Sequence, residues 1–233
     1  AAGVDAVLAM VRDDSASRAV WLDSTDGALP AMAEGAMAIE CSTLSIAWAR
    51  NWAKIASDRQ LRALDAPVIG SRPHAEAGQL MFLAGGDAAL VERATPLLRT
   101  MGAAVHHCGI HGSGAALKLA VNALFVTQVT AIAELFGMLC GNGLDLARAM
   151  EVISALPVAS PAATAAMKAM VSGNFAPQYP LALVAKDFGY IAAAAQSGGY
   201  PAPVTAAVGK VIQQATERGW GTDNLTGVAR LYR

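Results

Sequence analysis

The sequence is poor in charged residues, aromatic residues and cysteine, and these shortages narrow the possible functions. Only 15% of its 233 residues are charged, with 17 Lys and Arg against 18 Asp and Glu, and the net charge is −1. Because nucleic-acid binding usually needs a basic face, we expect no nucleic-acid partner. The three cysteines are widely spaced and form no CxxC pair. This pattern favours reduced thiols in a cytoplasmic protein over a disulfide framework.

The sequence also has little that supports a membrane span or a leader peptide. Hydrophobic residues make up 55% of the chain, but many of them are alanine, which favours helix and adds little bulk. The most apolar stretch, residues 119–140, carries Asn122, Gln128 and Glu134, which are costly to insert into lipid. We therefore predict a buried helix of a soluble protein and no membrane partner. The start at Ala1 shows neither a signal peptide nor a methionine, and a longer protein is expected upstream.

Hydrophobic patterning divides the chain into two parts. Before Gly112, short apolar runs alternate with helical patterns, which indicates an α/β layer with a largely parallel sheet. Strands are predicted at residues 4–11, 36–41, 61–68, 80–84 and 105–108, and helices at residues 46–57 and 88–101. After Gly112, helices are predicted at residues 113–141, 145–156, 162–172, 181–196 and 203–219. The sequence thus predicts a sheet domain over residues 1–112 and an all-helical domain over residues 113–233.

One segment carries most of the candidate chemistry. Small residues from Gly112 to Gly114 open a helix, so a ligand or another backbone can approach it closely. Lys118 and Asn122 lie four residues apart on one face of this helix. A lysine among apolar neighbours is costly to bury unless the protein uses it, for example to exchange protons with a substrate. The alternative is a lysine at a helix edge whose ammonium reaches solvent.

Three other segments carry weaker signals. The strand that ends in Asp65-Ala66-Pro67-Val68 runs into a Gly/Ser loop, where α/β sheets bind ligands, although an ordinary turn has the same composition. Lys186-Asp187 lies among apolar residues on a helix and is either part of a site or a solvated charge pair. His106, His107, Cys108 and His111 suggest a metal site, but a strand points adjacent histidines to opposite faces, so we predict no metal.

Taken in order along the chain, these segments resemble the β-hydroxyacid dehydrogenase family, which includes 3-hydroxyisobutyrate dehydrogenase and glyoxylate/succinic semialdehyde reductases. Residues 5–12 resemble the family's strand and cofactor loop, with Arg12 in place of the usual proline. The other matching segments are Glu40-Cys41-Ser42-Thr43, Asp65-Ala66-Pro67-Val68, the helix from Gly112 to Asn122, Lys186-Asp187 and Asp223. The resemblance covers essentially all 233 residues.

The resemblance implies an oxidoreductase that transfers a hydride between NAD or NADP and a small carboxylate-bearing semialdehyde or β-hydroxy acid. It implies that Lys118 is the general acid and base and that Asn122 binds the substrate. The implied cofactor residues are Val11, Arg12, Thr43 and Lys186, and the implied ligands of the substrate carboxylate are Ile69, Gly70 and Ser71. It further implies that residues 1–112 belong to a Rossmann-type domain, that residues 113–233 bind substrate and dimerise, and that the protein is a homodimer or homotetramer.

Two features depart from the family pattern. Ile69-Gly70-Ser71 stands where the family usually has Ser-Gly-Gly, which puts specificity for 3-hydroxyisobutyrate in doubt. The G-x-G-x-x-G turn, which holds a pyrophosphate at a helix N-terminus, is missing from the sequence. The resemblance places this turn in a βαβ unit before Asp5, so the Rossmann-type domain is expected to be partial here. A non-catalytic remnant that acts as a helical dimerisation module is the alternative.

Overall fold

The computed structural model describes residues 1–232, and its first part is a six-stranded sheet flanked by helices. The strands are β1 (Ala6–Ala9), β2 (Met37–Glu40), β3 (Arg62–Asp65), β4 (Val68–Ile69), β5 (Leu80–Gly85) and β6 (Gly102–Gly109). The helices between them are α1 (Asp14–Leu22), α2 (Ala28–Ala31), α3 (Ile46–Asp58), α4 (Arg72–Glu76) and α5 (Ala88–Leu98). The predicted α/β class is confirmed, although α1, α2 and α4 have no counterpart in the prediction.

The sheet is mostly parallel, as the sequence predicts. Strands β1, β2 and β3 run parallel, and β5 runs parallel to β6 but antiparallel to β3 and β4. Asp65 lies opposite Gly85 and Ile69 lies opposite Met81, so β4 continues the line of β3. The single strand predicted over residues 61–68 is therefore two strands. The break falls at Pro67, which has no N–H to donate to a ladder.

Strand β2 is buried on both faces, which explains why it lacks polar alternation, whereas β6 is partly exposed. In β2, Ala38 packs into one cluster of buried side chains while Met37 and Ile39 pack into the other. Neighbouring residues of a strand point to opposite faces, so this alternation places one cluster on each side of the sheet. Trp21 and Trp52 fill the first cluster with ring centroids 5.3 Å apart.

The second part of the chain is helical, again as predicted. Its helices are α6 (Ser113–Gly141), α7 (Leu146–Ser154), α8 (Pro161–Ser172), α9 (Leu181–Gly198) and α10 (Pro203–Ala215). A π-helical turn at Thr216–Trp220 and a 3-10 segment at Leu225–Tyr232 follow. Gly173 and Gly199 end α8 and α9 in the left-handed conformation that glycine adopts without strain.

The chain forms two compact units, Ala1–Ala120 and Val121–Arg233. The division falls inside α6, so about two turns of this helix belong to the first unit and the remaining turns to the second. The sequence-based division at Gly112 lies one residue before the same helix begins.

Helix α6 is the one helix among the described residues that is long and apolar enough to cross a membrane, judged by length and composition alone. Only 33% of its most apolar 18-residue window is buried inside the chain. The helix is therefore less buried within one chain than the sequence predicts. Its exposed apolar residues include Leu117, Leu124, Leu135 and Met138.

Candidate active site

Three of the predicted cofactor residues lie in two neighbouring loops of the first unit. Val11 and Arg12 follow β1, and Thr43 follows β2, which is the parallel neighbour of β1. The Val11 N–H donates to Ser42 Oγ at 2.7 Å, which ties the two loops together. The structure thus brings Val11, Arg12 and Thr43 to the carboxyl ends of adjacent parallel strands, where open α/β sheets bind ligands.

Helices α1 and α3 begin beside these loops, and an aspartate already accepts hydrogen bonds at the start of each helix. The Asp13 side chain accepts the Ala16 N–H at 2.8 Å. The Asp14 carboxylate accepts the Ser45 N–H at 2.9 Å and the Ser45 hydroxyl at 2.6 Å. Because these carboxylates oppose a bound anion, the loops suit the nicotinamide–ribose end of a dinucleotide, which carries no negative charge, better than its pyrophosphate. The charge of these loops therefore fits that end of the cofactor.

Glu40, the acidic residue of the β2 loop motif, has a structural place rather than a place at a ligand. Its carboxylate is 1% exposed. It accepts hydrogen bonds from the Ser17 hydroxyl at 2.6 Å, the Trp21 indole N–H at 2.7 Å and the Ser42 N–H at 2.9 Å. The Trp48 indole N–H in turn donates to Ser17 Oγ at 2.9 Å. Glu40 therefore holds β2, α1 and α3 together through one buried network.

Asp65 holds the N-terminus of α6, a role that the sequence analysis missed. Its side chain is buried, and its two oxygens accept the Gly112 N–H at 2.8 Å and the Ala115 N–H at 3.0 Å. Burial raises the pKa of the Asp65 carboxyl, against the lowering effect of the two N–H donors and of nearby His111. The Asp-Ala-Pro-Val motif thus fixes the start of the helix that carries Lys118. No local signal reveals this contact because its partners are 47 residues apart.

The small residues at the start of α6 admit a strand of the same unit. A Cβ atom on Gly114 would lie 2.1 Å from the Leu83 carbonyl oxygen of β5. A Cβ atom on Gly85 would lie 2.6 Å from Asp65 Oδ1. Both positions therefore require glycine for close packing of β5 against α6. The sequence left open whether a ligand or another backbone approaches the start of this helix. At Gly114 it is the backbone of β5.

Lys118 lies on the second turn of α6, between exposed Leu117 and buried Leu119. Lys118 lies three residues after Ala115, whose N–H donates to Asp65. Lys118 is half-buried. Because half-burial suits both a proton donor and a lysine that reaches out to solvent, its catalytic role stays a prediction at this point.

The predicted substrate loop, Ile69-Gly70-Ser71, leads from the end of β4 into α4. Gly70 has a φ of 127°, a conformation that residues with a side chain rarely adopt. Ser71 caps α4: its N–H lies 3.3 Å and its hydroxyl 3.2 Å from His74 Nδ1. Ile69 is half-buried opposite Met81 of β5. The segment is a strand end and a helix cap rather than an ordinary turn.

In the second unit, the structure joins Asn122 to the Lys186-Asp187 pair. Asn122 Nδ2 lies 2.7 Å from Asp187 Oδ2 and 3.1 Å from the Tyr179 hydroxyl oxygen. The Tyr179 hydroxyl donates to Asp187 Oδ2 at 2.5 Å. The Lys186 ammonium lies 3.0 Å from Asp187 Oδ1. Two predicted site residues, Asn122 and Lys186, are thus linked through one carboxylate.

The alternative that Lys186-Asp187 is a solvated surface pair is wrong. The Asp187 side chain is 2% exposed and that of Lys186 is 19% exposed. A buried carboxylate needs this many donors, because burying it without partners costs several kcal/mol. Burial, together with the neighbouring Asp187 charge, raises the pKa of the Tyr179 hydroxyl, so this group stays protonated and able to donate.

Two of the histidines that suggested a metal site, His107 and His111, lie against backbone carbonyl groups. His107 Nε2 lies 3.0 Å from the Gly86 oxygen, and His111 Nε2 lies 2.9 Å from the Ala63 oxygen. Within residues 1–232, no three His, Cys, Asp or Glu side chains come together where they could hold a metal ion. The contact of His111 places it beside the start of α6, as a neighbour of the Asp65 carboxylate.

Two family models match the chain in succession. Residues 1–109 match the model described as the NAD binding domain of 6-phosphogluconate dehydrogenase. Residues 112–232 match the model described as NAD-binding of NADP-dependent 3-hydroxyisobutyrate dehydrogenase. Together they include every segment that carries the resemblance found in the sequence.

Individual relatives agree with these matches. An NAD-dependent L-serine dehydrogenase of Pseudomonas aeruginosa is 30% identical, over 99% of this chain and 79% of the relative. A 3-hydroxyisobutyrate dehydrogenase of the same species is 32% identical, over 99% of this chain and 80% of the relative. The solved structure of Mycobacterium tuberculosis 3-hydroxyisobutyrate dehydrogenase with L-serine is 27% identical, with a TM-score of 0.90 over 100% of this chain and 80% of that one. These likenesses confirm the predicted Rossmann-type and helical architecture.

Proposed function

Because this chain belongs to the β-hydroxyacid dehydrogenase family of NAD(P)-dependent oxidoreductases, we propose that it transfers a hydride between NAD or NADP and a small carboxylate-bearing semialdehyde or β-hydroxy acid. The observation that carries the proposal is the start of α6. There, buried Asp65 accepts two backbone N–H groups of the segment that leads to Lys118 and Asn122. This segment is where the family has its catalytic helix.

Lys118 acts as the general acid in the reducing direction. Its ammonium gives a proton to the carbonyl oxygen of the semialdehyde, and in reverse the neutral amine takes the proton of the hydroxyl group. A positioned proton donor of this kind contributes about 10²- to 10⁴-fold to the rate. Asp65 contributes by fixing the first turn of α6, so that Lys118 projects from a rigid part of the helix.

The loops after β1 and β2 hold the nicotinamide end of the cofactor, through Val11, Arg12 and Thr43. When bound, the nicotinamide supplies or accepts the hydride. Lys186 adds a positive charge whose position is set by its contact with Asp187 at 3.0 Å. These residues leave the choice between NAD and NADP open, since they are proposed for the nicotinamide end and the two cofactors differ at the adenosine ribose.

The loop of Ile69, Gly70 and Ser71 binds the substrate carboxylate, and Asn122 is a separate substrate-binding residue. Isoleucine at position 69 offers no hydroxyl group, and the Ser71 hydroxyl is already in contact with His74. The loop therefore has fewer free donors than the Ser-Gly-Gly of the family. The loop thus departs from the pattern tied to 3-hydroxyisobutyrate. Gly114-Ala115 and Tyr179-Pro180-Leu181 resemble the glyoxylate/succinic semialdehyde reductases instead, so we place the substrate closer to glyoxylate and succinic semialdehyde.

A spectrophotometric assay tests this function. In the reducing direction, the purified chain is mixed with glyoxylate or succinic semialdehyde and with NADH or NADPH. In the oxidising direction, it is mixed with 3-hydroxyisobutyrate or L-serine and with NAD or NADP. We expect turnover with at least one semialdehyde and a larger kcat/KM for it than for 3-hydroxyisobutyrate. Titration of the same chain with NADH and NADPH, followed by fluorescence, measures binding without turnover. No binding and no turnover with any pair, together with no G-x-G-x-x-G segment encoded upstream of Ala1, would favour the non-catalytic remnant.

We further propose that two copies pair through α6. Leu117, Leu124, Ala131 and Met138 recur every seven residues and are exposed in the single chain. Residues seven apart lie on one face of a helix, and such a stripe pairs with the same stripe of a second copy. The stripe explains why the most apolar helix of the chain is only partly buried. A homodimer, or a tetramer built from two dimers, follows from it.

Substitution of Leu124 with lysine tests this pairing. Leu124 is 64% exposed, so the change leaves the fold of the single chain intact. We expect size-exclusion chromatography with light scattering to show a multimer for the wild type and a smaller particle for L124K. Val204→Lys is the matched control, because Val204 is 62% exposed but lies on α10. Equal masses for wild type and L124K would contradict pairing through α6.

We place the protein in the cytoplasm on account of its thiols. All three cysteines are free, and Cys140 is exposed, a state that persists in a reducing compartment. Burial, then the nearby Glu40 charge, raises the pKa of the Cys41 thiol to about 12. Cys41 is therefore a packed, protonated thiol and has no part in the proposed chemistry.

A further inference from the structure

We propose that Asp187 and Tyr179 are positioning residues that fix the side-chain amide of Asn122, so that one edge of this amide is held ready for the substrate. The inference rests on the proposed function, in which Asn122 binds the substrate. It adds two residues to that site which touch neither substrate nor cofactor in the proposal, and which act through Asn122.

The three polar atoms form a closed triangle. Asn122 Nδ2 lies 2.7 Å from Asp187 Oδ2 and 3.1 Å from the Tyr179 oxygen, and the last two atoms lie 2.5 Å apart. Asn122 and Asp187 are 8% and 2% exposed. Each of the three polar atoms is therefore hydrogen-bonded to the other two.

The charges of the triangle decide which way the amide faces. An ionised carboxylate only accepts hydrogen bonds, so the Asn122 nitrogen, and not its oxygen, must face Asp187. In the flipped amide, the Asn122 oxygen would face the Asp187 carboxylate. Two buried acceptors would then lie side by side with no hydrogen between them. Asp187 Oδ2 and the Tyr179 oxygen lie on one side of the Asn122 nitrogen, so one N–H group donates to both. The second N–H group and the carbonyl oxygen of the amide point elsewhere.

The Tyr179 hydroxyl completes this arrangement because it both donates and accepts. It donates its proton to Asp187 and accepts from the Asn122 amide. The other oxygen of Asp187 faces the Lys186 ammonium at 3.0 Å. Asp187 is thus shared between a substrate residue and a cofactor residue of the proposed function, whereas Tyr179 serves the substrate residue alone.

The Tyr179→Phe variant separates these roles, with Tyr200→Phe as the matched control because Tyr200 is 54% exposed. For Y179F we expect the KM for the preferred semialdehyde to rise about tenfold, the size of one hydrogen bond to a charged group. We expect the KM for the dinucleotide to stay the same, since the Lys186 contact remains. Asp187→Asn should raise both KM values, because it removes the charge that faces Asn122 and Lys186.

Nuclear magnetic resonance gives a readout that needs no turnover. The side-chain amide protons of Asn122, assigned by their loss in Asn122→Ser, should exchange slowly with solvent in the wild type. In Y179F they should exchange about tenfold faster, and in Y200F at the wild-type rate. An exchange rate and a substrate KM unchanged in Y179F would overturn the proposal. A parallel rise of both KM values in Y179F would also overturn it, since that pattern indicates general loosening of the fold.

Failure of the proposed function looks different. A wild type that turns over no substrate, but whose Asn122 amide is protected and loses protection in Y179F, contradicts the assigned activity and keeps the positioning role. If Y179F does not fold, as judged by circular dichroism, D187N provides the same exchange measurement. Unchanged protection in D187N would then overturn the proposal.

Discussion

Replacement of Lys118 with alanine is expected to lower kcat by about 10²- to 10⁴-fold, which is the range for loss of a general acid. The reason is that hydride transfer to a carbonyl carbon leaves an alkoxide, which water protonates less efficiently than a positioned ammonium. Stability should change little, because Lys118 is only half-buried and alanine favours helix. Steady-state kinetics with the preferred semialdehyde measure the effect, and thermal unfolding checks the fold.

Two further variants define what the loss means. Lys54→Ala removes an exposed lysine of α3, paired with Asp58 at 2.6 Å, and should leave kcat unchanged. Lys118→Arg keeps the positive charge but holds its proton far more tightly, so it should recover little of the rate. Near-normal turnover of K118A would contradict the role of Lys118 as general acid. Full activity of K118R would indicate that Lys118 contributes charge alone.

Replacement of Glu40 with alanine is expected to lower the free energy of unfolding by about 3–5 kcal/mol, as for other buried polar groups that lose their partner. The change leaves the Ser17 hydroxyl, the Trp21 indole N–H and the Ser42 N–H without the acceptor that they share. It also removes packing between β2 and α1. Urea unfolding followed by tryptophan fluorescence measures the loss directly, because Trp21 and Trp48 belong to the network.

Glu76→Ala is the matched control for Glu40→Ala. Glu76 is paired with Arg72 at 2.8 Å, but both side chains are exposed. Exposed pairs contribute at most about 1 kcal/mol, so E76A should unfold close to the wild-type urea concentration. Glu40→Gln keeps the shape of the side chain and should lose less than E40A. Equal stability of E40A and wild type would contradict the role of Glu40 in holding the fold.

Much of the fold could be predicted because local patterns determine it. The strand β5 and the helices α3, α6 and α9 are found within a few residues of their predicted ends. Their apolar residues form clear patterns or continuous runs. Residues such as Ser45 and Gly199 mark the ends of the helices. The short helices α1, α2 and α4 were not predicted, since four to nine residues carry too little periodicity.

The candidate site was predictable as a set of motifs but not as an arrangement. The sequence pointed to Lys118, Asn122 and Lys186 through spacing and resemblance. It gave no reason for Asp65 to bind Gly112, because 47 residues separate them. Apart from the resemblance, it also left open whether Lys186-Asp187 is a solvated pair, because a charged pair on a helix has the same sequence pattern whether or not another element covers it.

The sequence by itself determined the class of this protein, most of its strands and helices, and its family. These depend on composition, periodicity and short motifs, which are local properties of the chain. Only the tertiary structure decided what Asp65, Glu40 and Tyr179 do. Each of them forms hydrogen bonds with residues distant in sequence or on another element. The tertiary structure also decided the use of Glu40, Asp65 and Asp187, which are buried and serve as internal acceptors because a buried carboxylate needs hydrogen-bond donors.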